Sequence, residues 1–152
     1  RARVKGYDLI EQLAASRPEW TFTLVGDSNY KPQSTNIQVL GKETPASLVQ
    51  LYNRHEFYLQ LSSSEGFPNA LGEAMACSCV PIGSAVGAIP EIIGDTGLLL
   101  KRKELGSLQT LIQDWMAGKT QLTSPRARIE RYFTYNHRRQ LLLKALSLKE
   151  ES

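Results

Sequence analysis

The alternation of short β-rich runs with stretches of helical spacing constrains this chain more than any other feature. The β-rich runs are residues 21–26 (TFTLVG), 37–40 (IQVL), 57–61 (FYLQL), 80–83 (VPIG) and 97–100 (GLLL). Helical spacing fills the intervals. Leu9, Ile10, Leu13 and Ala14 share one stripe within residues 7–16, and Leu48, Val49 and Leu51 share another within 44–53. Thr44 is a plausible N-cap there, with Pro45 at the first helical position. Leu71, Ala74 and Met75 share a third stripe within 68–77, and a short helix is expected over 89–93. From Glu104 onward the pattern predicts three helices, separated at 118–123 and 134–137. Strands alternating with helices imply parallel βαβ units. Their right-handed crossovers place helices on both faces of one sheet, so the expected class is α/β. Such sheets bind ligands beyond the carboxyl ends of their strands. The chemistry is therefore sought in the loops that follow strands.

Composition narrows the function classes. A chain of 152 residues, 41% hydrophobic and 22% charged, suits one soluble globular domain spanning 1–152. No apolar run approaches the roughly 20 residues of a membrane span. Residues 1–6 do not follow a signal-peptide pattern, and two cysteines with two histidines are too few for a disulfide framework or a common zinc site. The expectation is a cytoplasmic protein with no metal. The net charge is +3, but residues 124–152 carry +4 of it and the remainder −1. A basic tail of this kind can meet phosphate or anionic lipid, although a solvated helical face is the simpler reading. No nucleic-acid fold signature accompanies it, so no nucleic-acid partner is expected.

The richest loop follows 57–61. Serines 62–64 end the strand run, Glu65 opens a turn, Gly66 gives it backbone freedom, and Pro68 suits a helix start. The amides of Asn69, Ala70 and Leu71 are then expected to be unpaired donors at a positive helix end, which is an anion site. Glu73 lies further into that helix, at about 1.5 Å per residue, on the face opposite Leu71 and Met75. Two acids thus bracket an anion-binding helix start. A nucleotide-sugar, with hydroxyls on both sides of a diphosphate, matches that layout, because carboxylates accept well from vicinal hydroxyls. Two other readings stay open at this point: a surface acid beside a capping acid with no ligand, and a glycosidase pair with carboxyls roughly 5–10 Å apart.

The segment from Glu65 to Glu73 has Gly66-Phe67-Pro68 after the first acid and Ala74-Met75-Ala76 after the second. It resembles the E-x7-E signature of retaining GT-B glycosyltransferases. These form the "group 1" family, which includes glycogen and sucrose synthases and many lipopolysaccharide and capsule enzymes. The flanks resemble that family in the same order: Lys5-Gly6-Tyr7-Asp8, Leu24-Val25-Gly26-Asp27, Asn36 to Gly41, Val80-Pro81-Ile82-Gly83, Val86 to Ile93, and Gly97-Leu98-Leu99. The family commonly has glycine where this chain has Ser78.

The resemblance implies a Rossmann-like domain, one half of a GT-B fold, that binds a nucleotide-diphosphate sugar. It implies that Lys5 and Arg1 neutralise the diphosphate, and that Glu65 with the backbone from Gly66 through Phe67, Pro68 and Asn69 to Ala70 meets sugar and phosphate. Leu71 belongs to the same donor segment. Glu73 would hold the ribose hydroxyls, the base would sit near Leu40 and Lys42, and Gly26 with Asp27 would line the cleft. Catalysis would be retaining transfer of a hexose without a metal or other cofactor. The acceptor, a glycan or lipid, would be met through an N-terminal domain absent from these residues together with the first strand. The expectation is thus a fragment of a longer two-domain enzyme, inactive alone, with the full enzyme at the inner face of the membrane. The alternatives are a non-catalytic nucleotide-binding or interaction module on the same fold, and a GT-B nucleotide-sugar epimerase.

Overall fold

A computed structural model of the chain describes residues 5–63 and 68–137. The first helix, α1 (Tyr7–Ser16), buries Tyr7, Leu9, Ile10, Leu13 and Ala14, the expected stripe. Then follow β1 (Phe22–Val25), β2 (Ile37–Leu40), α2 (Pro45–Arg54), β3 (Phe57–Gln60), α3 (Asn69–Ala76), β4 (Val80–Ser84), α4 (Ile89–Ile93), β5 (Leu98–Leu100), α5 (Leu105–Met116) and α6 (Pro125–Tyr132). Element ends fall within one or two residues of the sequence expectation. The Thr44 side chain caps α2 by accepting from the Ser47 amide at 3.2 Å, ahead of Pro45. The third helix expected in the C-terminal segment falls largely beyond the described residues.

Every described strand pair is parallel. Phe22 lies opposite Ile37, Phe57 opposite Val80, and Ile82 opposite Leu98. The expected single sheet is corrected to two, β1-β2 and β3-β4-β5. Among the described residues no ladder joins β1 to β3, and a cleft runs between them. Thr23 Oγ1 and His55 Nε2, 3.1 Å apart, bridge its sides.

Alternation along the strands explains the layers. Phe57, Leu59 and Leu61 pack with Leu98, Leu100 and Ile82 against α1 and α5, whereas Tyr58 and Leu99 join the opposite cluster. That second cluster is Leu71 and Met75 of α3 with Ile89, Ile92 and Ile93 of α4. Each face of the larger sheet is therefore covered by helices. Helix α2 departs from the expected core stripe. It buries no residue, and Val49 is exposed because α2 flanks the cleft rather than a core layer.

Polar ties hold the connections. The Asn36 side-chain amide donates to the carbonyls of Ala14, Arg17 and Trp20 at 2.9–3.1 Å, which docks the start of β2 under the end of α1. Glu11 accepts from the Tyr30 hydroxyl and the Gln33 and Ser34 amides at 2.9–3.0 Å, gathering the β1–β2 loop onto α1. Arg128 of α6 donates to the carbonyls of Ile92 and Glu91 at the end of α4. That arginine of the basic tail is thus built into the fold, while Arg126 pairs with Glu130 at 2.8 Å on the surface.

Two predictions follow from these features. Ser78 has φ 68°, in the left-handed region that favours glycine. Ser78→Gly should raise stability by about 0.5–1 kcal/mol, measured by denaturant unfolding, because it relieves strain at an exposed turn. Burial acts to raise the pKa of Glu11, but hydrogen bonds from Gln33, Ser34 and Tyr30 outweigh it and hold it below its ordinary value. The ionised carboxylate therefore stabilises the fold above the ordinary glutamate pKa and loses that effect as pH falls through its own lowered pKa. The stability gap between the native protein and Glu11→Gln should be widest at neutral pH and shrink on acidification. A gap independent of pH would contradict this.

Candidate functional site

The site is built at the carboxyl ends of the strands. Gly26, at φ 90°, turns the chain out of β1, and its amide donates to the carbonyls of Leu40 and Gly41 at 3.0 and 3.1 Å. The ends of β1 and β2 are thereby clamped together. Gly6 turns the chain into α1 at φ 76°, and a Cβ there would run into the Leu61 carbonyl. Only glycine lets the turn lie this close to the end of β3. The contact places the exposed Lys5 beside the loop that follows β3, where Leu61 and Ser62 are buried. Ser63 Oγ lies 2.9 Å from Lys103 Nζ, which reaches it from the loop after β5.

Pro68 stands at the N-cap of α3 rather than inside its first turn. Its carbonyl accepts from the Leu71 amide at 3.1 Å, so the expectation of a third unpaired donor is corrected. Among the described residues no partner meets the amides of Asn69 and Ala70 at the positive helix end. Leu71 and Met75 are fully buried, whereas Glu73 is exposed on the opposite face. Among the described residues, the Tyr52 hydroxyl donates to Glu73 Oε2 at 3.3 Å.

A cleft of about 1100 Å³ collects these groups. Of the residues singled out from the sequence, it is lined by Lys5, Gly26, Lys42, Pro68, Asn69, Ala70 and Glu73. It does not include Asp27, expected beside Gly26, nor Leu40, whose carbonyl is taken by Gly26, nor Leu71, whose side chain serves the core. Arg1, Glu65, Gly66 and Phe67 lie outside the described residues. Among those described, no three His, Cys, Asp or Glu side chains cluster as metal ligands. Cys77 and Cys79 are free thiols; burial pushes Cys79 up to about 11, and its Sγ donates to the Tyr52 and His55 carbonyls. Tyr52 and Lys103 were not anticipated. Each meets its partner only through tertiary contact, and no spacing signals it.

Fold and cleft together define a Rossmann-like α/β domain with an open cleft at its strand ends. The family model "Glycosyl transferases group 1" matches residues 3–117, and the chain belongs to that family. N-acetyl-alpha-D-glucosaminyl L-malate synthase of Bacillus anthracis is 45% identical over 65 residues, 41% of this chain and 16% of that protein. An uncharacterized glycosyltransferase of Methanocaldococcus jannaschii is 29% identical over 119 residues, 71% of this chain and 34% of that protein. The chain thus spans about a third or less of these relatives. Among solved structures, sucrose-phosphate synthase from Thermosynechococcus elongatus superposes with a TM-score of 0.78 at 22% identity, covering 99% of this chain and 44% of that one. Anabaena HepE in complex with UDP-glucose gives 0.74 at 21% identity, covering 97% and 46%.

Gly6→Ala tests the turn that sets the site. The new methyl meets backbone, which cannot rotate away, and the φ is positive. The substitution should cost about 3 kcal/mol of stability by chemical denaturation. A loss below about 1 kcal/mol would show that the turn can relax.

Proposed function

We propose that this chain is the donor-binding domain of a retaining glycosyltransferase that takes a hexose from a nucleotide-diphosphate sugar. The observation that carries the reading is the shared cleft. It gathers Lys5, the first residues of α3 and the exposed Glu73. A cation and a positive helix end suit a diphosphate, and a carboxylate about one turn further on suits a ribose diol. In this reading Lys5 and Arg1 neutralise charge developing on the leaving diphosphate as the glycosidic bond breaks. Glu65 and the Gly66–Ala70 backbone hold the transferred sugar, Lys42 borders the base, and no metal takes part. Retention follows from attack on the face the diphosphate leaves, with the departing phosphate taking the acceptor proton. The acceptor is a glycan or lipid bound by another part of the protein, which works in the cytoplasm at the membrane face. The complexes of HepE with UDP and UDP-glucose make those two the first ligands to try.

The test is calorimetric titration with UDP, GDP, ADP and their glucose conjugates, beside Glu73→Ala. One nucleotide should bind, and the substitution should weaken it about fivefold or more, roughly 1 kcal/mol. Affinity unchanged by Glu73→Ala would remove the ribose assignment, and binding of none of the six would remove the donor-site reading.

A further inference from the structure

We propose that Tyr52 is a positioning residue for Glu73: its hydroxyl fixes one carboxylate oxygen and leaves the other to take the vicinal hydroxyls of a nucleotide ribose. The inference rests on the donor-site reading above and adds a residue to it.

Tyr52 and Glu73 lie on different helices, α2 and α3, 21 positions apart, and both line the cleft. Glu73 is exposed on the outer face of α3, with Tyr52 its hydrogen-bond partner among the described residues. A free glutamate side chain surrenders rotamer freedom when a ligand fixes it. A tether made before the ligand arrives lowers that cost. Tyr52 is suited to be the tether because it is itself held. Its ring meets Tyr58 edge-on, with centroids 6.0 Å apart at 74°. Its carbonyl accepts from Cys79 Sγ at 3.2 Å and from the His55 amide at 3.1 Å. Burial, and then the neighbouring Glu73 carboxylate, push the Tyr52 hydroxyl above its ordinary range, so it remains a donor throughout the physiological pH interval. At 3.3 Å the bond is long for a hydroxyl on a carboxylate, so its removal should cost a few-fold in affinity, not orders of magnitude.

A purely structural role for Tyr52, joining α2 to α3, makes a different prediction, and the choice of ligand separates the two. The full chain is titrated with the nucleoside diphosphate that binds best among those of uridine, guanosine and adenosine, and with its 2′,3′-dideoxy form. Four proteins are compared: unmodified, Tyr52→Phe, Glu73→Ala and the double variant. Tyr52→Phe should reduce ribonucleotide affinity by about three- to tenfold and leave dideoxy affinity unchanged. Glu73→Ala should abolish the preference for the ribo form, and adding Tyr52→Phe to it should change nothing further. Equal losses for both ligands in Tyr52→Phe would mean a packing role and overturn the inference. So would a ribo preference that Tyr52→Phe leaves intact while Glu73→Ala removes it. A preference that survives Glu73→Ala would instead sink the ribose assignment itself, and this inference with it.

Discussion

The close approach of Gly6 to the Leu61 carbonyl determines where the parts of the site can meet. A parallel sheet brings strand ends to one edge, but it does not say which helix start faces which loop. Gly6 does so by placing the entry to α1 directly against the end of β3. Lys5 immediately precedes it, and the loop leading to α3 begins at Ser62. A cation and the helix N-terminus are thus neighbours through a backbone contact that no longer side chain could make. Because the contact is between backbone atoms, it is insensitive to rotamer exchange and holds Lys5 near the loop while the lysine side chain stays free to move.

Behind that edge the division between support and chemistry is sharp. Leu71, Ala74 and Met75 face the core from α3, and Glu73 lies between them in sequence but on the opposite face. At about 100° per residue, positions 71, 74 and 75 fall on one stripe roughly 100° wide and position 73 falls on the other side. The same 3.6 period that anchors α3 therefore presents Glu73 to the cleft. The buried side of the helix supplies rigidity, and the exposed side supplies a flexible acid that needs a separate restraint.

Much of this was legible in the sequence where one residue type answers to one local rule. The stripe of Leu9, Ile10, Leu13 and Ala14, the Thr44-Pro45 start of α2 and the run 37–40 carry their own signals, and the structure places those elements accordingly. The family resemblance marked Ser78 as a glycine position, and its φ of 68° gives the physical reason. What was not legible depends on distance in the chain. Tyr52 reads from spacing as an ordinary half-apolar helix residue, and its bond to Glu73 appears only once α2 and α3 stand side by side. The three carbonyls met by Asn36 and the loop gathered by Glu11 are of the same kind. The Leu71 amide is not an unpaired donor for a local reason: the Pro68 carbonyl is one turn away and takes it.

The division of the strands into two sheets has a consequence for how the cleft is held. Leu51 lies one turn before His55, and its carbonyl, 2.8 Å from His55 Nδ1, can only accept a hydrogen bond, so Nδ1 carries the proton. In the neutral ring Nε2 is then the acceptor, and Thr23 donates across the cleft from β1. Thr23 lies in the first half of β1, and His55 just ahead of β3, so this bridge sits toward the amino ends of both strands. Gly26 and the start of α3 sit at the carboxyl ends, since each follows a strand. A tie at one end of two strands constrains their separation at the other only through the stiffness of the strands between. Tyr52 lies on α2, the helix that His55 terminates. One turn of the same helix thus carries both the histidine that bridges to β1 and the tyrosine that reaches Glu73, so one element serves the two contacts.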